Sequence, residues 1–134
     1  MANDRNAPHI DIMRSQLGRA RGLGSAKSGL HHWIAQRLTA IALVPLTLWF
    51  VFSVIGLQGA THADAMLWMQ SPIHLVLMLA LIGATFHHMQ LGLQTVIEDY
   101  IHADSARMAA LMAMRGATIL LALIAAVSAL KMGL

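Results

Sequence analysis

Eight histidines, one tyrosine and no cysteine frame the chemistry open to this 134-residue chain. Histidine is an ordinary ligand for metals and haem iron and is uncommon within membranes, so a pair inside an apolar run stands out. His87 and His88 form such a pair. Adjacent helical residues point about 100° apart, so the two cannot share a face. Within about 40° of His88 on a helix lie Ala84, Gly92, Thr95 and Asp99, all small or polar. His87 has Gly83 and Leu91, and Leu91 would crowd a flat ligand standing edge-on to the helix. His88 is therefore the better candidate for an axial ligand to a porphyrin, its neutral imidazole nitrogen meeting the iron. The same spacing also fits a histidine hydrogen-bonded to a neighbouring membrane helix through an ordinary small-residue packing surface. A second axial ligand is not evident in the chain, which points to a partner subunit. His9, His62 and His74 read as loop or interface residues without an assigned role. The lack of cysteine excludes disulfides, thiolate zinc sites, cysteine-ligated iron–sulfur clusters and cysteine nucleophiles.

The elements that hold these residues are membrane helices. Only 11% of the chain is charged while 57% is hydrophobic, under half the roughly 25% charge of soluble domains. So few charges could not cover a water-facing surface. Residues 1–30 form a basic tail with Arg5, Arg14, Arg19, Arg21 and Lys27 against Asp4 and Asp11. No apolar run follows its first arginines at secretory-signal distance, and no aromatics are interleaved as nucleic-acid binding would favour. The rest, 31–134, reads as one anchor domain with spans at about 34–57, 72–98 and 107–130, each near the ~20 residues that cross a bilayer. Pro45 sits inside the first span, and Pro72 suits the first turn of the second. Residues 58–71 read as a loop, and Glu98 to Asp104 as a polar connection. Of the nine Lys and Arg, six precede or open the first span and the first loop has none. The positive-inside rule then predicts a cytoplasmic N-terminus and a periplasmic C-terminus. Tyr100 and Asp99 fall at the cytoplasmic interface, where tyrosine commonly serves as a belt residue. Arg115 reads as a snorkelling anchor.

The run HMQLGLQTVIEDYIH, residues 88–102, resembles the second-helix signature of the small membrane-anchor subunits of succinate dehydrogenase, respiratory complex II. It keeps the histidine, a glycine four later, and Asp-Tyr eleven and twelve later. HHWIAQRLTAIAL, residues 31–43, resembles that family's entry into the first span, and GLGSAKSG, residues 22–29, resembles its bacterial members. The likeness covers roughly residues 22–105.

The resemblance implies an all-α fold of three transmembrane helices, half of a heterodimeric haem-binding bundle in the bacterial inner membrane. It implies that His88 is an axial ligand to one haem b shared with a companion cytochrome b subunit. It places Tyr100 at the ubiquinone site, donating a hydrogen bond to a quinone carbonyl, with Asp99 close by for proton delivery. Quinone reduction consumes two electrons and two protons, so a donor at a water-accessible edge suits the chemistry. His31 and Arg37 would sit by the haem propionates or the quinone pocket, His32 being an alternative to His31. The chain has no dinucleotide fingerprint and no cysteine, so flavin and iron–sulfur clusters belong to the flavoprotein and iron–sulfur subunits it would anchor. Two other readings compete: a haem b anchor of a fumarate reductase or another quinone-linked dehydrogenase, and a cofactor-free structural membrane protein.

Overall fold

A computed structural model describes residues 27–134, so most of the basic tail, His9 included, lies outside the described residues. Four helices follow one another: α1 (Lys27–Gly56), α2 (His62–Met69), α3 (Pro72–Tyr100) and α4 (Asp104–Gly133). No strand occurs among the described residues. The three long helices are each apolar enough to span a membrane, α3 being the least apolar. At 1.5 Å per residue they reach about 45 Å, well beyond a ~30 Å hydrocarbon core. That explains why they outrun the spans expected at 34–57, 72–98 and 107–130: hydrophobicity marks the lipid-facing length, whereas backbone hydrogen bonding continues into flanking polar residues.

Local chemistry sets each boundary. Pro45 lies within α1, where it removes the amide that would bond the carbonyl of Ile41. The hydroxyls of Thr39, Thr47 and Ser53 instead satisfy themselves on carbonyls one turn back, at 2.8, 2.7 and 2.8 Å. After α1 the chain turns through Gly59, whose φ of 83° is a left-handed conformation costly for a residue with a Cβ. Pro72 opens α3 as expected. α4 begins with an ion pair of 2.6 Å between Arg107 and Asp104; Asp104 in the first turn and Lys131 in the last are favourable to the helix dipole.

Two expectations are corrected. The 58–71 segment is not all loop, because Thr61 and Asp64 form a reciprocal capping box that starts α2. The Thr61 backbone N–H and hydroxyl donate to Asp64 Oδ2 at 2.9 and 2.7 Å, and the Asp64 N–H returns a bond of 3.3 Å to Thr61 Oγ1. These bonds hold the Asp64 carboxyl below its ordinary range. The connection after α3 is also shorter than read. Glu98 to Tyr100 remain helical, with Gln94 donating to Glu98 Oε1 at 2.8 Å, and only 101–103 are extended or bent.

The long helices lie in a row. α3 packs against α1 on one side and α4 on the other, while α1 and α4 make no close backbone approach. α2 rests on α3 and α4. Among the described residues only Met69, Leu81, Leu91, Thr118 and Ala129 are buried, and large apolar side chains such as Ile41, Phe52 and Met112 are exposed. A layer of this kind has no core of its own to fold around in water. Its faces need lipid or another protein chain.

Candidate functional site

His88 stands in the seam between α1 and α3, at the half of the row where α1 begins and α3 ends. On α1 the residues facing it are spaced i, i+4, i+7: His32, Gln36 and Thr39. On α3 they are His88, Gly92 and Thr95, with the same spacing. Thr39 Oγ1 lies 2.9 Å from His88 Nδ1. A Cβ added at Gly92 would come within 3.7 Å of Gln36 Nε2, so the missing side chain leaves room that Gln36 partly takes. Thr95, Gln94 and Glu98 line a groove with Gly29 and His32 just above.

Two atoms of the seam have no partner among the described residues: His32 Nε2 and Gln36 Oε1 are buried and unbonded there. Unpaired buried polar atoms cost about 1–3 kcal/mol each, so they mark a place built for a further polar group. His88 Nε2 also makes no hydrogen bond among the described residues, but it is not among the buried atoms. This arrangement fits a haem edge: a free imidazole nitrogen, small residues at Ala84 and Gly92, and polar groups awaiting partners. Among the described residues no cluster of three or more metal-ligating side chains forms.

The other sequence-selected residues are placed apart. His31 turns away from α3 and lines a shallow groove with Ile34, Ala35 and Leu38 of its own helix. Of the two adjacent histidines, His32 is the one facing α3. Arg37 is exposed and lies 5.3 Å from the Trp33 ring centroid in a cation–π contact. Six positions apart, His31 and Arg37 project about 120° from each other around α1 and do not converge. Tyr100 is 79% exposed at the last residue of α3, some 18 Å along the axis from His88. Neither its phenol nor the Asp99 carboxylate is hydrogen-bonded among the described residues, so both are open to a ligand. His87 is exposed and takes no part in the seam.

The opposite side of α3 carries a second polar seam. Arg115 donates to Gln94 Oε1 at 3.3 Å, and Thr118 donates into its own helix at 2.9 Å while lying 3.5 Å from Gln90 Oε1. Arg115 therefore ties α4 to α3 as well as carrying a charge. Sequence reasoning passed over Thr39, Gln36 and this link. The i, i+4, i+7 spacing of His32, Gln36 and Thr39 was the available signal.

At the far end of the row the chemistry changes. Trp68 of α2 stacks on His74 at 4.2 Å and on Trp49 of α1 at 5.8 Å between centroids. His74 Nδ1–H donates to the Trp68 carbonyl at 2.7 Å. An apolar cavity of about 300 Å³ lies beside this stack, between residues such as Phe50, Met78, Ile82 and Ala129. A Cβ at Gly133 would meet Leu75 at 2.8 Å and the Met69 carbonyl at 3.1 Å.

Row, spans and seam define a three-pass integral membrane protein with one face prepared for something outside the chain. The chain belongs to the succinate dehydrogenase/fumarate reductase transmembrane subunit family, whose pattern it matches over residues 11–129. It is 38% identical over 95 residues to the succinate dehydrogenase hydrophobic membrane anchor subunit of Rickettsia bellii, covering 70% of this chain and 75% of that protein. The subunit of the same description from Rickettsia conorii is 35% identical over 89 residues, covering 66% and 71%. The succinate dehydrogenase membrane anchor subunit of Reclinomonas americana is 28% identical over 92 residues, covering 66% and 77%. No solved structure matches the chain.

Proposed function

We propose that this chain is the hydrophobic membrane anchor of a succinate:quinone oxidoreductase, holding half of a haem b site and part of a ubiquinone site. The anchor role rests on family membership and on three apolar helices in an inner membrane. The single observation that carries the site is His88, with Nδ1 engaged by Thr39 and Nε2 free, beside two orphaned polar atoms. The companion cytochrome b subunit would cover this face and bring the second ligand. The flavoprotein and iron–sulfur subunits would dock at the end carrying Tyr100 and the basic tail. That end is cytoplasmic by the distribution of Lys and Arg.

Haem b, when bound, supplies one-electron transfer. The chain's own part is positional and protonic. His88 Nε2 would hold the iron. Ala84 and Gly92 leave the ring edge room, and His32 and Gln36 offer polar partners. The Tyr100 phenol donates a hydrogen bond to a ubiquinone carbonyl, favouring charge that develops on that oxygen as it is reduced. Asp99, on the water side, passes protons inward; two are needed to give the quinol, matching the two electrons released when succinate becomes fumarate. His31 and Arg37 address the propionates or the quinone pocket from different flanks of α1. The family spans both directions of the succinate–fumarate couple, and the relatives named above favour oxidation of succinate.

A reduced-minus-oxidised visible spectrum of the purified complex, recorded with succinate-driven quinone reduction, tests this reading. The expected result is a b-type signal with succinate activity, and loss of that signal in His88→Ala. A complex with neither signal nor activity would leave a cofactor-free structural anchor.

A further inference from the structure

The hydroxyl of Thr39 has three neighbours and one proton. Its oxygen lies 2.8 Å from the Ala35 carbonyl, 3.1 Å from the Gln36 carbonyl and 2.9 Å from His88 Nδ1. Two proton arrangements satisfy these distances. In one, the hydroxyl donates to His88 Nδ1, which places the ring proton on Nε2. That proton then has no acceptor, because Nε2 makes no hydrogen bond among the described residues. In the other, the hydroxyl donates to the Ala35 carbonyl one turn back, and its lone pair accepts the proton of His88 Nδ1. Both donors are then satisfied, and the one unused group is an acceptor lone pair on Nε2. An unsatisfied donor in an apolar setting is the more costly defect, so the second arrangement wins.

We infer that Thr39 is a positioning residue for His88, fixing the Nδ1–H tautomer and the ring orientation so that the Nε2 lone pair is presented for ligation. The inference rests on the haem reading above. It assigns to a threonine on α1 the work that a carboxylate or carbonyl performs behind most metal-binding histidines. The device also couples two helices. Thr39 is anchored to the backbone of α1, so the seat of His88 on α3 depends on the register of α1 against it. Thr47 and Ser53 make the same bond back into α1 without a histidine partner among the described residues, which sets Thr39 apart from them.

The test compares the assembled complex carrying the native chain, Thr39→Val and Thr39→Ser, reading haem per complex, haem retention on dilution, the low-temperature magnetic resonance of the ferric haem and its midpoint potential. Thr39→Val is expected to weaken haem retention about tenfold, the lower end for loss of a partner behind a ligating histidine. It should also raise the midpoint potential, because an Nδ1–H without an acceptor makes Nε2 a poorer donor to the iron. Thr39→Ser keeps the hydroxyl and should restore both. Thr39→Ala repeats the comparison without a buried methyl should the valine variant fail to assemble. Native retention and midpoint in Thr39→Val would overturn the inference. So would a serine variant displaced as far as the valine one, because a hydroxyl at position 39 would then not be what seats His88. A native complex devoid of haem would remove the underlying reading, and the inference with it, before any variant is compared.

Discussion

The two ends of the same helical row solve different problems. Where α1 begins and α3 ends, His32, Gln36 and Thr39 face His88, Gly92 and Thr95 across a seam that keeps two polar atoms without partners. Where α1 ends and α3 begins, polar atoms find partners inside the chain: His74 bonds the Trp68 carbonyl while the indoles stack. Gly133 lets α4 close on Leu75 and Met69. One end is finished by its own residues and the other leaves two buried polar atoms unpaired among the described residues. A membrane protein can spend stability at its site because the opposite end holds the helices in register.

Substitutions at the two ends should therefore separate function from cohesion. The largest effect is expected from Tyr100→Phe, which removes a proposed hydrogen-bond donor: succinate-driven quinone reduction should fall about 10²-fold with haem content and subunit assembly unchanged. Retained turnover would take Tyr100 out of the site. Gly133→Val should act in the opposite way. The new side chain meets backbone at the Met69 carbonyl and should destabilise the closed end by about 1–3 kcal/mol, lowering the thermal midpoint of the complex in detergent while the haem spectrum of the surviving fraction stays native. A shifted spectrum would show that the ends are not independent.

His74→Phe is a finer probe, since it keeps a ring on Trp68 but loses the donor to its carbonyl. A loss of about 1 kcal/mol is expected, seen as faster proteolysis around α2 with quinone turnover preserved. Gln94→Leu removes the acceptor of Arg115 and should cost about 0.6 kcal/mol, the average for hydrogen bonds between membrane helices, measured as a small rise in denaturant sensitivity. The smallest effect belongs to Asp64. Its carboxyl is held below the ordinary range first by the Thr61 hydroxyl and then by the Thr61 backbone. A depressed acid contributes order that is present above its unfolded value and lost as pH falls through the folded one. Amide protection at the start of α2, taken relative to the intrinsic exchange rate at each pH, should accordingly fall under acid conditions and not on the alkaline side, and Asp64→Asn should remove that pH dependence of the protection.

Much of this was legible in the residues. Long apolar runs marked the three spans, and helical angles favoured His88 over His87 without any tertiary information. What stayed hidden falls into two kinds. The capping box Thr61-x-x-Asp64 was in plain view, yet α2 was read as loop because a short helix offers too few residues for its apolar period to show. The Thr39–His88 contact was hidden for a different reason. The two lie 49 residues apart, and their meeting depends on how far α1 slides along α3, which a hydrophobic pattern does not specify. The choice between His31 and His32 had the same origin. Each is a plausible neighbour of a ligand until the rotation of α1 is known. Gln94 illustrates the reverse case: it seemed merely to interrupt an apolar helix, but it joins α4 through Arg115 and holds Glu98.

The row also carries a consequence for how the chain is made. α1 and α4 never approach closely, and before α3 is synthesised the one helix within reach of α1 is α2, through a single indole stack. A ribosome delivering this chain therefore leaves α1 to wait alone in the lipid, its hydroxyls turned back on its own carbonyls, until α3 arrives. His88 lies just past the middle of that helix, so the seam closes as the second half of α3 emerges and α4 docks afterwards. The order of birth makes α3 the clasp on which both neighbours depend. A lesion there would orphan helices on either side, whereas a lesion in α4 would leave the α1–α3 pair already joined.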